Sequence, residues 1–389
     1  MARFKDNKIS VQELLRFIPD EFLDKLSIAT NVDHQVKKLY GKNIFYLLLY
    51  GYLESTKVSL RELEDIYSSQ RFQFLFNIDS EEGTRFNSLS DRLSTMNPEY
   101  FEKIYQHIYT KFAELYSDDE ALKYSITRVD STFVLEAANK LKKGLVTSNQ
   151  HAKKRQVKYT MSMTDIFPSG AEMFFEGSAH NENHTIPLVI KNAVHKDSIF
   201  VFDRGVNKRK VFEDMDQEGT IFVTRVNRTK TFKVVSSNEV LVQKHHNLEI
   251  LSDQWVQLRD KKGKYYSPLR LVITKQSDKK QEEIYFLTNS PHLQVIEIID
   301  IYKKRWDIEV FFRFIKQELN FSHFLSTSEN GIRIVLYMTL ILSILILVYK
   351  KLNSLGYRTA VRRFKIELDE LIMKMTIIFA GGDPDLVFR

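Results

Sequence analysis

The chain has 389 residues, 43% of them hydrophobic and 28% charged. Its length suggests roughly two to three domains, and the composition supports a substantial buried core, which excludes a disordered or fibrous chain. With 57 Lys+Arg against 50 Asp+Glu, the net charge of +7 leans toward an anionic partner such as nucleic acid and fits an ordinary basic protein equally well. Cysteine is absent, so disulfides, a thiolate nucleophile and cysteine zinc sites are excluded; any metal must sit on carboxylates, carbonyls or histidines.

The polar start, MARFKDNKIS, does not read as a signal peptide. Residues 1–120 read as helical. VSLRELEDIYSS and NPEYFEKIYQHIYTKFAELY repeat apolar and aromatic residues at helical spacing, and Ser88 or Ser90 is an N-cap candidate between them. Such a region suits a DNA-binding domain or a helical packing domain. From about 122 the period changes. KYSITRVDSTFV, QVKYTMSMTDIF and AEMFFEG read as strands, ENHTIPLVIKNAVH as a helix, SIFVFDRG as a strand, NKRKVFEDM as a helix and IFVTRVN as a strand. That order points to an α/β layer.

Residues 228–290 hold the short strands FKVVSS, EVLVQK, LEILSD, WVQLRD, LRLVITK and EIYFLTN, a β-rich insertion. Helix returns at 294–319. The apolar run Ile334–Tyr349 falls short of the roughly 18–20 residues that span a bilayer and reads as a buried core helix. A last helix is expected near 365–379.

Asp130, in RVDST, lies in or at the end of a strand, and Asp203, in FVFDRG, ends another. Strand ends are where α/β sheets place their sites, although each aspartate taken alone reads rather as a turn or N-cap residue. On a continuous helix over 294–319, Tyr302, Arg305, Glu309 and Lys316 fall within an arc of roughly 60°. Ile308, Phe311, Phe312, Ile315 and Leu319 form an apolar arc roughly 90° away. A solvated face with an Arg305–Glu309 helix pair would account for part of this stripe. His180 and His184 are four apart, as metal ligands can be, but no third nitrogen or sulfur ligand is apparent. No phosphate-binding glycine pattern occurs.

The string Tyr302-x-x-Arg305-x-x-x-Glu309-x-x-x-x-x-x-Lys316 resembles the Y-(2)-R-(3)-E-(6)-K signature of the IS4-type DDE transposases. Asp130 in DST and Asp203 in FDRG resemble the family's first and second catalytic aspartates, and 228–290 resembles its β-rich insertion. The resemblance implies a ribonuclease H-like mixed-sheet catalytic core over 121–389, interrupted at about 228–290 and preceded by a helical DNA-binding domain over 1–120. It implies Asp130, Asp203 and Glu309 as catalytic metal ligands for two Mg²⁺ ions, with Mn²⁺ able to substitute, in metal-assisted displacement at phosphorus.

The expected activity is cut-and-paste transposition of an insertion sequence. The partners are double-stranded DNA at the element's ends and at the target, in a homodimer on that DNA and without a membrane; the expected place is the bacterial cytoplasm, at the nucleoid. Tyr302, Arg305 and Lys316 would meet DNA phosphates. Trp306 would stack on a displaced base, or sit in the core or at its rim. Between Glu136 and Asp165 the chain has basic residues and no acidic ones, among them Lys153, Lys154, Arg155 and Lys158. They are candidates for a phosphate-tracking loop or a solvated hairpin. The alternatives are a catalytically silent DNA-binding descendant and a two-metal nuclease without strand transfer.

Overall fold

The computed structural model describes residues 6–55, 58–78, 83–116, 123–136, 140–146, 154–228, 231–277 and 282–388. The chain opens on helices α1 (Val11–Leu15), α2 (Asp20–Thr30), α3 (Gly41–Glu54), α4 (Leu60–Ser68), α5 (Gln70–Leu75), α6 (Phe86–Thr95) and α7 (Glu99–Tyr116). Capping boxes start α1 and α4, with Ser10 paired to Glu13 and Ser59 to Glu62, so the orphan N–H groups are met locally. Ser88 and Ser90 lie inside α6 and do not cap it. The Phe86 N–H instead donates to Glu64 Oε2 of α4 at 2.9 Å. A carboxylate from a neighbouring helix fills the cap, and no local pattern announces that.

The sheet begins with β1 (Ile126–Leu135), β2 (Leu145–Val146), β3 (Arg155–Thr164) and β4 (Phe167–Phe174). Then α8 (Glu182–Lys191), β5 (Ile199–Phe202), α9 (Arg209–Gln217) and β6 (Phe222–Val226) alternate. β1 runs antiparallel to β3, and β3 antiparallel to β4. β5 lies parallel to β1, and β6 parallel to β5. A three-stranded meander extended beside its first strand by two parallel strands, each reached through a helix, is the ribonuclease H-like layer that the motifs imply.

The β-rich segment comprises β7 (Phe232–Ser237), β8 (Lys244–His245), β9 (Leu248–Arg259), β10 (Tyr265–Gln276) and β11 (Glu283–Thr288). It continues the same sheet, because β11 pairs with β6. LEILSD and WVQLRD form one strand, β9, rather than two. Most of EVLVQK is not a strand; β8 takes only its last residue, Lys244, together with His245.

The chain ends with α10 (Val295–Lys303), α11 (Trp306–Glu318), α12 (Glu329–Leu352) and α13 (Tyr357–Phe379). The apolar run is α12, with every residue from Ile334 to Tyr349 buried. It is long and apolar enough to cross a membrane, yet here it is the central rod of the core. Its side chains join those of α3, α6 and α7, of β3 and β4, and of α11 and α13 in one apolar cluster. Truncating a residue such as Leu342 there would cost about 2–5 kcal/mol. The last helix starts at Tyr357, earlier than 365, and Glu367 on it accepts from Asn7 and from the Val11 N–H.

Candidate active site

Strand alternation sends Val129 into the apolar layer beneath α8 and α9. Its neighbours Arg128 and Asp130 point the other way, toward the α10–α11 junction. Asp203 follows the buried β5, and its Oδ1 accepts the Gly205 N–H at 2.8 Å. A Cβ at Gly205 would stand 2.8 Å from Asp203 Oδ1 and 2.8 Å from Glu182 Cγ. Any larger residue there would push against both acids. Glu309 lies in the first turn of α11.

Arg305 joins two of the three acids. Its Nη2 is 2.6 Å from Glu309 Oε1, and its Nη1 is 3.7 Å from Asp130 Oδ2. Burial, with the charges of Asp203 and Glu182 nearby, pushes the Asp130 carboxyl up to about 7, against the Ser131 N–H and Arg305, which pull it down. Burial is the larger cause, and Arg305 stands between Asp130 and Glu309 while Lys158 pairs with Glu182. Oxygen donors in carboxylate surroundings are the set a hard divalent ion takes.

The helix over 294–319 is not continuous. It breaks between α10 and α11, so Tyr302 and Arg305 lie on opposite sides of the junction. Arg128 reaches this junction: its Nε donates to the Lys304 carbonyl at 3.2 Å and its Nη2 lies 3.1 Å from Asp307. The ladder here tightens to three-residue steps, Arg305 N–H to Tyr302, Asp307 N–H to Lys304 and Ile308 N–H to Arg305, so the Lys304 carbonyl accepts from both Arg128 and Asp307. The apolar arc holds, with Ile308, Phe311, Phe312, Ile315 and Leu319 all buried.

Tyr302 is half-buried, with the guanidinium groups of Arg305 and Arg225 at 5.7 and 5.8 Å from its ring centre. Burial raises its phenol above the ordinary range. Lys316 is half-buried and donates to the Phe133 carbonyl at 3.0 Å, tying α11 to β1. Its ammonium is spent on the backbone in this state. Trp306 is 52% exposed at the first position of α11 and is not a core residue.

The basic stretch divides. Lys153 lies outside the described residues. Lys154 precedes β3 and is half-buried. Arg155 turns its guanidinium onto the carbonyls of Leu141 and Lys142. Lys158 is fully buried and pairs with Glu182 at 2.9 Å, so it cannot track a phosphate. His184 lies in α8 and His180 in the turn before it.

Sequence reasoning missed Glu182. From the N-terminal turn of α8 it accepts from Ser131 at 2.9 Å, pairs with Lys158, and borders both Asp130 and Asp203. In the sequence it reads as an acid complementing a helix dipole, which gives no link to β1.

A ribonuclease H-like layer with acids at these strand and helix positions is the architecture of the DDE class. The chain belongs to the transposase DDE domain family, which matches residues 122–345. A Sinorhizobium fredii protein named as a transposase, y4zB, is 29% identical over 164 residues, covering 42% of this chain and 46% of that one. A protein of Geobacillus stearothermophilus named as a transposase for insertion sequence element IS5377 is 27% identical over 248 residues, 61% of each chain. The chain thus spans about half to three-fifths of the length of these curated relatives. The piggyBac transposase, in a synaptic complex with hairpin DNA, is 12% identical over 96% of this chain and 81% of that one, with a TM-score of 0.49.

Proposed function

We propose that the chain is a metal-dependent DNA transposase of the IS4 type that cuts insertion-sequence ends and joins them to a target. Asp130, Asp203 and Glu309 would be the ligands of two Mg²⁺ ions, with Mn²⁺ as a substitute. The carrying observation is the bridge from Arg305 to both Asp130 and Glu309, with Asp203 close enough to raise the Asp130 carboxyl. Divalent ions held there supply an activated hydroxyl and a stabilised leaving oxygen at phosphorus. Arg305 supplies a forked donor for a phosphate. Tyr302 presents its phenol beside that fork. Lys316 holds α11, and with it Glu309, against the strand that carries Asp130.

The helices α1–α7 would bind the element's ends, held to the catalytic part by the core they share with α12. Two copies would act together on paired ends, with α13 as the contact between them. The test is a cleavage assay on a plasmid carrying the DNA that flanks this reading frame, with and without Mg²⁺ or Mn²⁺, beside Asp203→Ala. Metal-dependent breaks at two defined ends and joined 3′ ends, absent in the variant, are expected. End binding without breaks would instead establish a silent DNA-binding protein. Breaks without joined ends would establish a nuclease.

A further inference from the structure

Where the β-rich segment meets α10, two histidines and an aspartate converge. His245 ends β8 and His246 opens the turn into β9, while Asp300 lies on α10. The Nε2 atoms of His245 and His246 are each 2.9 Å from the same oxygen, Asp300 Oδ1. Among the described residues this is the group of three potential ligands whose donor atoms all lie within 4.8 Å of one another. His246 has φ 52°, in the left-handed region that His, like Asn and Asp, enters more readily than other side chains. The turn accepts that conformation, and the result is a second imidazole on the same carboxylate.

We propose that His245, His246 and Asp300 form a binding site for one divalent transition cation of the Zn²⁺, Co²⁺ or Ni²⁺ class, separate from the carboxylate centre. Imidazole nitrogen with one carboxylate selects these ions over Mg²⁺, which prefers oxygen donors alone. The spacing suits them. Two ligands about 2.0–2.1 Å from an ion stand about 2.9 Å apart at right angles and about 3.4 Å apart in a tetrahedron, and the two His–Asp300 separations of 2.9 Å lie at the near end of that span. His246 and Asp300 are exposed and His245 is half-buried, so an ion can enter and water can complete its shell.

The consequence is mechanical. The ion would pin the β8–β9 hairpin to α10 two residues before Tyr302. It would thereby brace the segment that leads into the Arg305 junction.

The test uses the full chain, stripped with chelator, in the Asp203→Ala background so that the carboxylate centre does not compete. Co²⁺ is titrated and followed by its visible absorption, and Zn²⁺ by calorimetry. His246→Asn keeps a residue that tolerates the left-handed turn, and His245→Gln keeps a polar side chain on β8. One equivalent should bind, and either substitution should weaken it roughly tenfold or more. Excess Mg²⁺ should not displace it, and melting temperature should rise with Zn²⁺ only when both histidines are present. The site is overturned if no Co²⁺ band forms, or if both variants bind as the parent does while melting normally without metal. Because the readout is binding and melting, the result stands whether or not the chain cleaves DNA.

Discussion

Arg128 and Lys304 are joined across the sheet face. The guanidinium Nε donates to the Lys304 carbonyl at 3.2 Å, Nη1 reaches the Asp165 carbonyl at 2.7 Å, and the side chain is only 6% exposed. One buried cation on β1 therefore ties the end of α10 to the start of α11. Removing it takes one of two donors from the Lys304 carbonyl, which also accepts the Asp307 N–H, and releases Asp307 two residues before Glu309. Arg128→Met is expected to lower unfolding free energy by about 1–3 kcal/mol in urea titrations. It should reduce cleavage far more than DNA binding at temperatures where the variant is folded. Arg128→Lys should not rescue cleavage, since a compact ammonium lacks the planar fork whose separated nitrogens meet Lys304, Asp165 and Asp307 at once. Unchanged cleavage by folded Arg128→Met would show that the junction does not position the site.

Lys158 and Glu182 are a second coupled pair. Lys158 is wholly buried beside the aromatic face of Phe133, and Glu182 is its anionic partner at 2.9 Å. Glu182→Gln leaves a buried cation facing an amide and is expected to cost about 3–5 kcal/mol. Lys158→Met combined with Glu182→Gln should be less destabilised than Glu182→Gln alone, because no charge is then stranded. A double-mutant cycle by chemical denaturation measures this. Additive losses would mean that the pair does not interact.

Much of the layer was legible because its signals are local. The alternation around Asp130, the apolar run of β5 before Asp203 and the apolar spacing from Ile308 to Leu319 each lie within one segment. What escaped depends on distant partners. The junction at Lys304 is tied to Arg128, far away in the chain. β9 read as two strands because Ser252 and Asp253 resemble a turn. In the fold Asp253 is buried mid-strand, satisfied by Arg270 at 2.8 Å through both carboxylate oxygens. Glu182 looked like a helix-end acid because its neighbours Ser131 and Asp203 come from other strands. The basic stretch looked uniform, yet the fold buries Lys158 and ties Arg155 to carbonyls.

His107 gives the helical region an acid-side pH dependence. Its ring stacks on Phe22 at 4.2 Å, and its Nε2 lies 3.1 Å from the Phe17 carbonyl. Burial, helped by the nearby Lys111 charge, lowers its pKa below 6.5, against the carbonyl contact that raises it. A base with a depressed folded pKa binds fewer protons folded than unfolded. Its contribution is therefore complete above the unfolded value and is lost as pH falls through the folded one. Urea midpoints should drop as the solution is acidified below about 6.5, and His107→Gln should flatten that part of the profile. An unaltered slope in the variant would assign it to other groups.

Trp306 separates a binding role from a structural one. It is 52% exposed at the start of α11, next to Arg305, so Trp306→Ala removes little buried area. Stability should change by no more than about 0.5 kcal/mol. If the indole stacks on a base displaced beside the cut, its loss should weaken that contact by about 1–3 kcal/mol. The reporter is a fluorescent adenine analogue placed at successive positions flanking the cleaved end. Quenching or enhancement at one position with the parent protein, absent with Trp306→Ala and retained with Trp306→Phe, is expected. Equal signals from the parent and the alanine variant, with equal melting temperatures, would leave the indole outside the DNA path.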